Sequence, residues 1–126
     1  MKVENFVKTK FNSHVLRLSS LIDSTIEKNL LYDLKHKTWI ENISLTSTNQ
    51  WYPMSNLLSD IEYVVGNDIL ELNCVSEPIE NADIVNQFAP ELLSQCTGKP
   101  TATHYNITPY RFDKSEIFEH IQRYMQ

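Results

Sequence analysis

Glycine is scarce throughout this sequence. Only Gly66 and Gly98 occur among its 126 residues, whereas average usage of roughly 7% would give about nine. Loops that cradle phosphate groups need clustered glycines, because a backbone without side chains can approach the ligand closely. These two glycines lie far apart in the chain, so the sequence excludes a P-loop and a dinucleotide-binding Rossmann motif.

The first 52 residues contain neither glycine nor proline, and their apolar residues recur at steps of three and four. This spacing predicts helix. Asn12 and Ser13 interrupt the pattern with residues that favour helix caps, so we expect a short first helix and a longer one over 13–37. The sequence thus predicts a long N-terminal helical segment, whose apolar positions are Val3, Phe6, Val7, Phe11, Val15, Leu18, Ile22, Ile26, Leu30 and Leu34.

Three later segments have the pattern of strands. The clearest is 68–75, where apolar and polar residues alternate from Leu70 to Cys74. This alternation is typical of a strand in a sheet with one solvent-exposed face. Weaker strands are predicted over 38–45 and 101–108.

Three further helices are predicted after residue 52. One covers 57–66 and ends at a glycine, and another covers 84–96 with a restart at Pro90. The third runs to the C-terminus from Asp113, which forms a capping box with Glu116 three residues later.

These elements predict the fold class. No repeat, low-complexity tract or linker divides the chain, and its length suffices for one core. We therefore expect a single domain over residues 1–126. Its fold class is α+β, with a small antiparallel or mixed sheet of three or more strands packed against several helices.

Basic residues are absent from the middle of the chain. All eleven Lys and Arg residues lie before residue 38 or after residue 98, although the net charge of the chain is only −5. Acids without local basic partners create a field that steers positive partners, unless basic termini fold back and neutralise it. The acids of this segment are Glu41, Asp60, Glu62, Asp68, Glu71, Glu77, Glu80, Asp83 and Glu91.

An acidic surface of this kind predicts a basic protein partner. The aromatic segment 51–54 offers an anchor for a partner beside the acids. The alternative is a core plug, meaning that these residues pack into the core just before a helix begins. Phosphate contacts need a basic face, so direct nucleic-acid binding is not expected. We interpret the chain as a non-enzymatic inhibitor, such as an immunity protein or antitoxin, that neutralises a basic toxin or nuclease. Its predicted partner-binding residues are Trp51, Tyr52, Asp60, Glu62, Asp68, Glu71, Glu77, Glu80 and Asp83.

Two other classes of function stay open. A small-molecule binder or minor enzymatic domain would have an apolar pocket with a few polar groups, lined by Trp39, Tyr52, Tyr63, His104 and Tyr105. A secretion chaperone or adaptor would be a homodimer with an exposed apolar groove. The sequence does not decide between monomer and oligomer.

No pattern in the sequence predicts a cofactor, a metal centre or a membrane span. The histidines have no short metal-ligand spacing, and neither cysteine belongs to a Cys-x-x-Cys pair. The N-terminus lacks the apolar run of a secretory signal, and no stretch approaches about 20 apolar residues. We expect a cytoplasmic protein in which Cys74 and Cys96 are small buried hydrophobes.

Overall fold

Extended chain occupies the first described residues, where helix was predicted. The computed structural model describes residues 13–100 and 106–126. Strand β1 spans Val15–Leu18 and strand β2 spans Ser20–Ile22, so the predicted helix is wrong over these residues. The elements predicted before residue 13 lie outside the described residues, as does most of the strand predicted over 101–108. Residues 106–108 form no strand.

The segment from β1 to β2 pairs with two strands that come much later in the chain. Strand β5 spans Glu71–Cys74 and runs parallel to β1, with Val15 opposite Glu71. Strand β4 spans Trp51–Pro53 and runs parallel to β2. Helical spacing is a local signal, and it is overridden here because distant strands satisfy the backbone hydrogen bonds of 15–22.

The other elements complete the described chain. In order, they are helix α1 at Leu30–His36, strand β3 at Thr48–Asn49, helix α2 at Leu57–Gly66, strand β6 at Ile79–Glu80, helix α3 at Asn81–Phe88 and helix α4 at Lys114–Met125. Short 3-10 helices lie at Ile40–Asn42, Met54–Asn56 and Pro90–Gln95. Strands β3 and β6 pair antiparallel.

The fold mixes helices with small sheets, which is consistent with the predicted α+β class. Within residues 13–100 and 106–126, each sheet has two strands, with the pairs β1–β5, β2–β4 and β3–β6. The prediction of one sheet with three or more strands is therefore wrong for the part of the chain that the structure describes. Two of the three pairs are parallel, so the sheets are mixed in direction.

Several local predictions are confirmed. Helix α2 covers the predicted range 57–66, and β5 lies within the predicted strand 68–75. Helix α3 ends before Pro90, where a 3-10 helix restarts the chain. Asp113 caps α4: its carboxylate accepts a hydrogen bond from the Glu116 backbone at 2.8 Å, and the Glu116 side chain accepts one from the Asp113 backbone at 3.1 Å.

The strand predicted over 38–45 is a tight turn instead, and that prediction is wrong. Lys37 and Trp39 have φ angles of 56° and 53°, in the left-handed region. This conformation costs a non-glycine residue about 1 kcal/mol or more. Ile40 and Ile43 are buried, so packing of this turn into the core offsets the local cost. Side-chain-bearing residues thus occupy backbone positions that glycine takes in other chains.

One hydrophobic cluster holds the elements together. Its buried members extend from Ile22 on β2 to Ile121 on α4. Trp51 and Tyr52 on β4 are its largest fully buried side chains. At roughly 1.5–3 kcal/mol for each large apolar side chain, this burial is the main favourable contribution to folding.

Gln50 connects three segments of backbone beside this core. Its side-chain amide donates to the carbonyl oxygens of Ser76 at 2.9 Å and Ile107 at 2.8 Å. Its side-chain oxygen accepts from the backbone of Ile107 at 3.0 Å. These bonds hold the segment before α4 against the start of β4.

Gly98 permits a close approach between two backbone segments. Its amide donates to the carbonyl of Ile43 at 3.0 Å, and a Cβ at this position would lie 2.1 Å from the carbonyl oxygen of Asn42. A Cβ at Gly66, the last residue of α2, would have no atom within 4 Å.

The two glycines should therefore respond differently to alanine. We expect Gly98→Ala to lower the free energy of unfolding by about 3 kcal/mol, because the methyl group collides with backbone that must shift. Gly66→Ala is the matched control and should raise it by about 0.5–1 kcal/mol. Urea denaturation of both variants measures the difference, and equal effects would contradict the close approach at Gly98.

Candidate functional site

Asp60 on α2 is a fully buried carboxylate that contacts Arg111 and Tyr52. One of its oxygens accepts a hydrogen bond from Arg111 Nε at 2.8 Å and lies 2.6 Å from a second guanidinium nitrogen. The other accepts from the Tyr52 hydroxyl at 2.6 Å. The guanidinium also lies over the ring of Tyr63, 4.8 Å from its centroid. This ion-pair cluster of Tyr52, Asp60 and Arg111 joins β4, α2 and the segment before α4.

The cluster determines the protonation of its members. Burial opposes ionisation of Asp60, but hydrogen bonds from Tyr52 and Arg111 outweigh burial and hold its pKa below the ordinary value. Burial and the hydrogen bond to Asp60 raise the pKa of Tyr52 far above its ordinary value. Burial, together with the nearby Asp60, raises the pKa of the Cys74 thiol to about 11. At neutral pH neither Tyr52 nor Cys74 is poised to act as a base or nucleophile.

Because Asp60 and Val64 face the core, three apolar residues of α2 face away from it. Leu58, Ile61 and Val65 are 67%, 41% and 59% exposed. Their spacing of three and four places them in one stripe along the helix. Leu70, in the loop that follows, is also exposed. We call Leu58, Ile61, Val65 and Leu70 the apolar α2 face.

Two carboxylates accompany the apolar α2 face and have no ion pair with any described residue. Glu62 lies on α2 next to Ile61, and Asp68 lies in the turn between Val65 and Leu70; both are exposed. Asp68 has a φ angle of 51°, and its amide donates to the carbonyl of Val65 at 3.3 Å, which returns the chain towards the helix end.

Glu71 begins β5 and is paired across the sheet. Arg17 on β1 lies 3.3 Å from its carboxylate, and both side chains are more than one-third exposed. An exposed pair of this kind contributes between zero and about 1 kcal/mol. Its main effect is to place a basic residue beside Glu71, the one acid of β5.

Two of the three remaining predicted acids, Glu77 and Asp83, contact Lys114 at the start of α4. Asp83 on α3 pairs with Lys114 at 2.8 Å. Glu77 accepts a hydrogen bond from the backbone of Lys114 at 3.0 Å. Glu80 is exposed at the end of β6. A basic residue from the C-terminal flank therefore folds back onto this group, which was the alternative weighed against a free acidic surface.

Three of the predicted partner-binding residues are not on the surface. Trp51 and Tyr52 are 1% and 0% exposed and belong to the core, so the alternative of a core plug is the one observed. The physical reason is that β4 pairs with β2 and lies in the hydrophobic cluster. Asp60 is buried because Arg111 provides a counter-charge from 51 positions further along the chain.

The pocket considered in the sequence is not assembled from its described members. Tyr52 is buried in the core, Tyr63 is half-exposed on α2, and Trp39 is exposed in the turn after α1. His104 and Tyr105 lie outside the described residues.

The exposed apolar residues were missed by sequence reasoning, because their spacing is that of a helix whose apolar face is buried. Residues 57–58 and 64–65 are adjacent apolar pairs, and adjacent residues on a helix point about 100° apart. The apolar positions 57, 58, 61, 64 and 65 span about 120° of the helix, which is the ordinary width of a face packed against a core. The neighbouring Asp60 then determines which edge of the arc turns inward.

Cys74 and Cys96 are buried free thiols, as predicted. Burial raises the pKa of Cys96, as it does for Cys74. Within residues 13–100 and 106–126, no three His, Cys, Asp or Glu side chains are grouped to hold a metal ion. None of the described helices combines the length and apolar character that crossing a bilayer requires.

Sequence comparisons provide no relative from which a role could be transferred. No protein-family model matches this chain, and no curated protein is significantly similar to it.

The ion-pair cluster should dominate the acid sensitivity of the fold. We expect Asp60→Asn to lower the free energy of unfolding by about 3 kcal/mol at pH 7, since it leaves Arg111 partly buried without its counter-charge. Because the pKa of Asp60 is lowered, its contribution is complete above the unfolded value of about 4 and is lost as pH falls through the folded value. The deficit of the variant should therefore shrink below pH 4.

The matched control is Asp83→Asn, which removes an exposed pair with Lys114 and should cost less than about 1 kcal/mol. Urea denaturation between about pH 2 and pH 7 measures the loss in the free energy of unfolding for both variants. This is roughly the range in which carboxyl groups titrate. A pH-independent deficit for Asp60→Asn would contradict the assigned ionisation.

Proposed function

We propose that this chain is a non-enzymatic inhibitor of the immunity-protein or antitoxin type, acting in the cytoplasm on a basic protein partner. The observation that carries the proposal is the apolar α2 face with two carboxylates, Glu62 and Asp68, beside it. Exposed apolar residues grouped on one element are typical of protein interaction sites. The two acids give this surface a negative charge, which favours a partner with positive charge around its own apolar centre.

Several features favour a basic partner over a second copy of the chain. A symmetric dimer formed through this face would place the same patch on both sides of the interface. Glu62 and Asp68 of each copy would then approach their equivalents, and like charges oppose association. Lys and Arg are absent from residues 38–98, which include the entire α2 face, so no base on that segment offsets the repulsion.

The first test identifies the partner and then measures how charge affects its association. The tagged full chain is used to capture proteins from cells of its source, and the captured protein is identified by mass spectrometry. We expect a basic protein whose association rate with this chain falls as salt rises. A partner without excess positive charge, or a rate that is independent of salt, would contradict the proposal.

Charge reversal then tests the choice of surface. We expect the double variant Glu62→Lys and Asp68→Lys to lower the association rate at low salt by about tenfold, because both changes lie beside the apolar α2 face. The control is Glu41→Lys with Glu91→Lys, which changes net charge equally at exposed positions on other elements. Stopped-flow fluorescence measures the association rates of both double variants. If the two lower the rate equally, this face is ruled out as the interface.

Truncation of Leu58 tests the apolar part of the interface. Its side chain is 67% exposed, so Leu58→Ala should leave the free energy of unfolding within about 0.5 kcal/mol of the parent. We expect the same change to weaken partner binding by about 1–2 kcal/mol through faster dissociation. Calorimetry of binding and urea denaturation of the free variant measure the two quantities separately. Unchanged affinity would show that α2 lies outside the interface.

A further inference from the structure

A cavity of about 810 Å³ opens between α1, the turn that follows it and β3. Sites for small ligands enclose roughly 300–1,000 Å³, so this volume is sufficient for one. None of its lining residues belongs to the apolar α2 face. The cavity is therefore a separate feature of the molecule.

Fixed polar groups line the interior of this cavity. The Asn81 amide donates to the backbone carbonyl of Ser44 at 2.9 Å, and its oxygen accepts from the Asn49 amide at 2.9 Å. These bonds hold Asn49 and Asn81 in position. Ser47, which is 6% exposed, also lines the cavity, and its hydroxyl has no hydrogen-bond partner in the described structure. A buried polar group without a partner is uncommon, and a ligand that supplies one would satisfy it.

Trp39 contributes an aromatic surface to the same cavity. Its side chain is 67% exposed. Tryptophan has one of the largest apolar surfaces of any side chain, so Trp39 leaves a large apolar area open to a ligand. Its backbone is in the left-handed region, and strained conformations of this kind cluster at ligand sites. The buried neighbours Ile40 and Ile43 hold the turn in place. The indole is therefore presented by a fixed turn.

The charges around the cavity balance. Glu27 and Asp33 are matched by Lys28 and Lys99, so the charged residues of the lining sum to zero. Moving a charged ligand out of water is costly unless the site provides an opposite charge. A balanced lining rich in amides and hydroxyls thus favours a neutral ligand with hydrogen-bonding groups.

We propose that this cavity binds an uncharged planar heteroaromatic molecule of nucleoside size. Its ring stacks on Trp39, since flat heteroaromatic rings stack well on exposed aromatic side chains. Its polar edge hydrogen-bonds to the Ser47 hydroxyl, which is buried in the cavity wall and rotates towards the ligand to make this bond. This site does not depend on the proposed inhibitor function, because it shares no residue with the α2 face.

Tryptophan fluorescence provides the direct test. The full chain is titrated with adenosine, guanosine, cytidine and uridine, and quenching reports on exposed Trp39 because Trp51 is buried in the core. We expect at least one nucleoside to bind with a dissociation constant of about 1 mM or tighter. Calorimetry confirms that quenching reflects binding. Absence of binding for all four nucleosides overturns the proposal.

Two variants connect binding to the named residues. Ser47→Ala should weaken binding about tenfold, the effect of losing one buried hydrogen bond. It should not lower the thermal midpoint, because the hydroxyl has no partner in the described structure of the free protein. Trp39→Ala should weaken binding at least tenfold by calorimetry. Binding that is unchanged in both variants overturns the proposal.

Ser19→Ala is the matched control. The Ser19 hydroxyl is also buried without a hydrogen-bond partner among the described residues, but Ser19 does not line this cavity, so the nucleoside affinity should stay the same. A neutral disaccharide tests the requirement for an aromatic ring and should not bind. If the disaccharide binds and the nucleosides do not, the assignment to a heteroaromatic ligand is wrong.

Discussion

The ion pair between Asp60 and Arg111 sets the orientation of α2, and much of the surface follows from that orientation. A buried carboxylate is tolerated only when a counter-charge and hydrogen bonds replace its water. Arg111 and Tyr52 provide both. The backbone amide of Arg111 also donates to the carbonyl of Val75 at 2.7 Å. Val75 directly follows β5, so this bond fixes the backbone of Arg111 relative to that strand. With Asp60 inward, the centre of the apolar arc of α2 faces solvent.

Local signals were sufficient for some elements and not for others. The capping box at Asp113, the restart at Pro90 and the strand β5 depend on a few neighbouring residues, and each is confirmed. The alternation predicted for β5 holds only in part, because Leu70 is exposed and lies outside the strand. The stretch 15–22 has helical spacing, but its backbone is satisfied by strands that lie dozens of residues away. The burial of Asp60 has the same origin, because no residue near it in sequence reveals that Arg111 will arrive as its partner.

The acidic middle of the chain is only partly free once the chain is folded. Asp60, Glu71 and Asp83 each pair with a basic residue from a flank, namely Arg111, Arg17 and Lys114. The positions of acids and bases along the sequence contain no information on which acids meet a base in the folded chain. Glu62 and Asp68 are outside these pairs and accompany the apolar α2 face. Separation of charge along a sequence is therefore a weaker statement than separation in space.

The parallel pairing of β1 with β5 has a consequence for how this chain acquires its structure. Arg17 and Asn73 are register partners that lie 56 positions apart, so a long loop must close before either strand gains its hydrogen bonds. Closing such loops slows folding relative to a bundle of helices of equal length. On the ribosome, β1 emerges well before β5, which is its only partner strand among the described residues. Its unpaired edge is then open to other chains, and a chaperone that shields extended segments would be most useful at that stage.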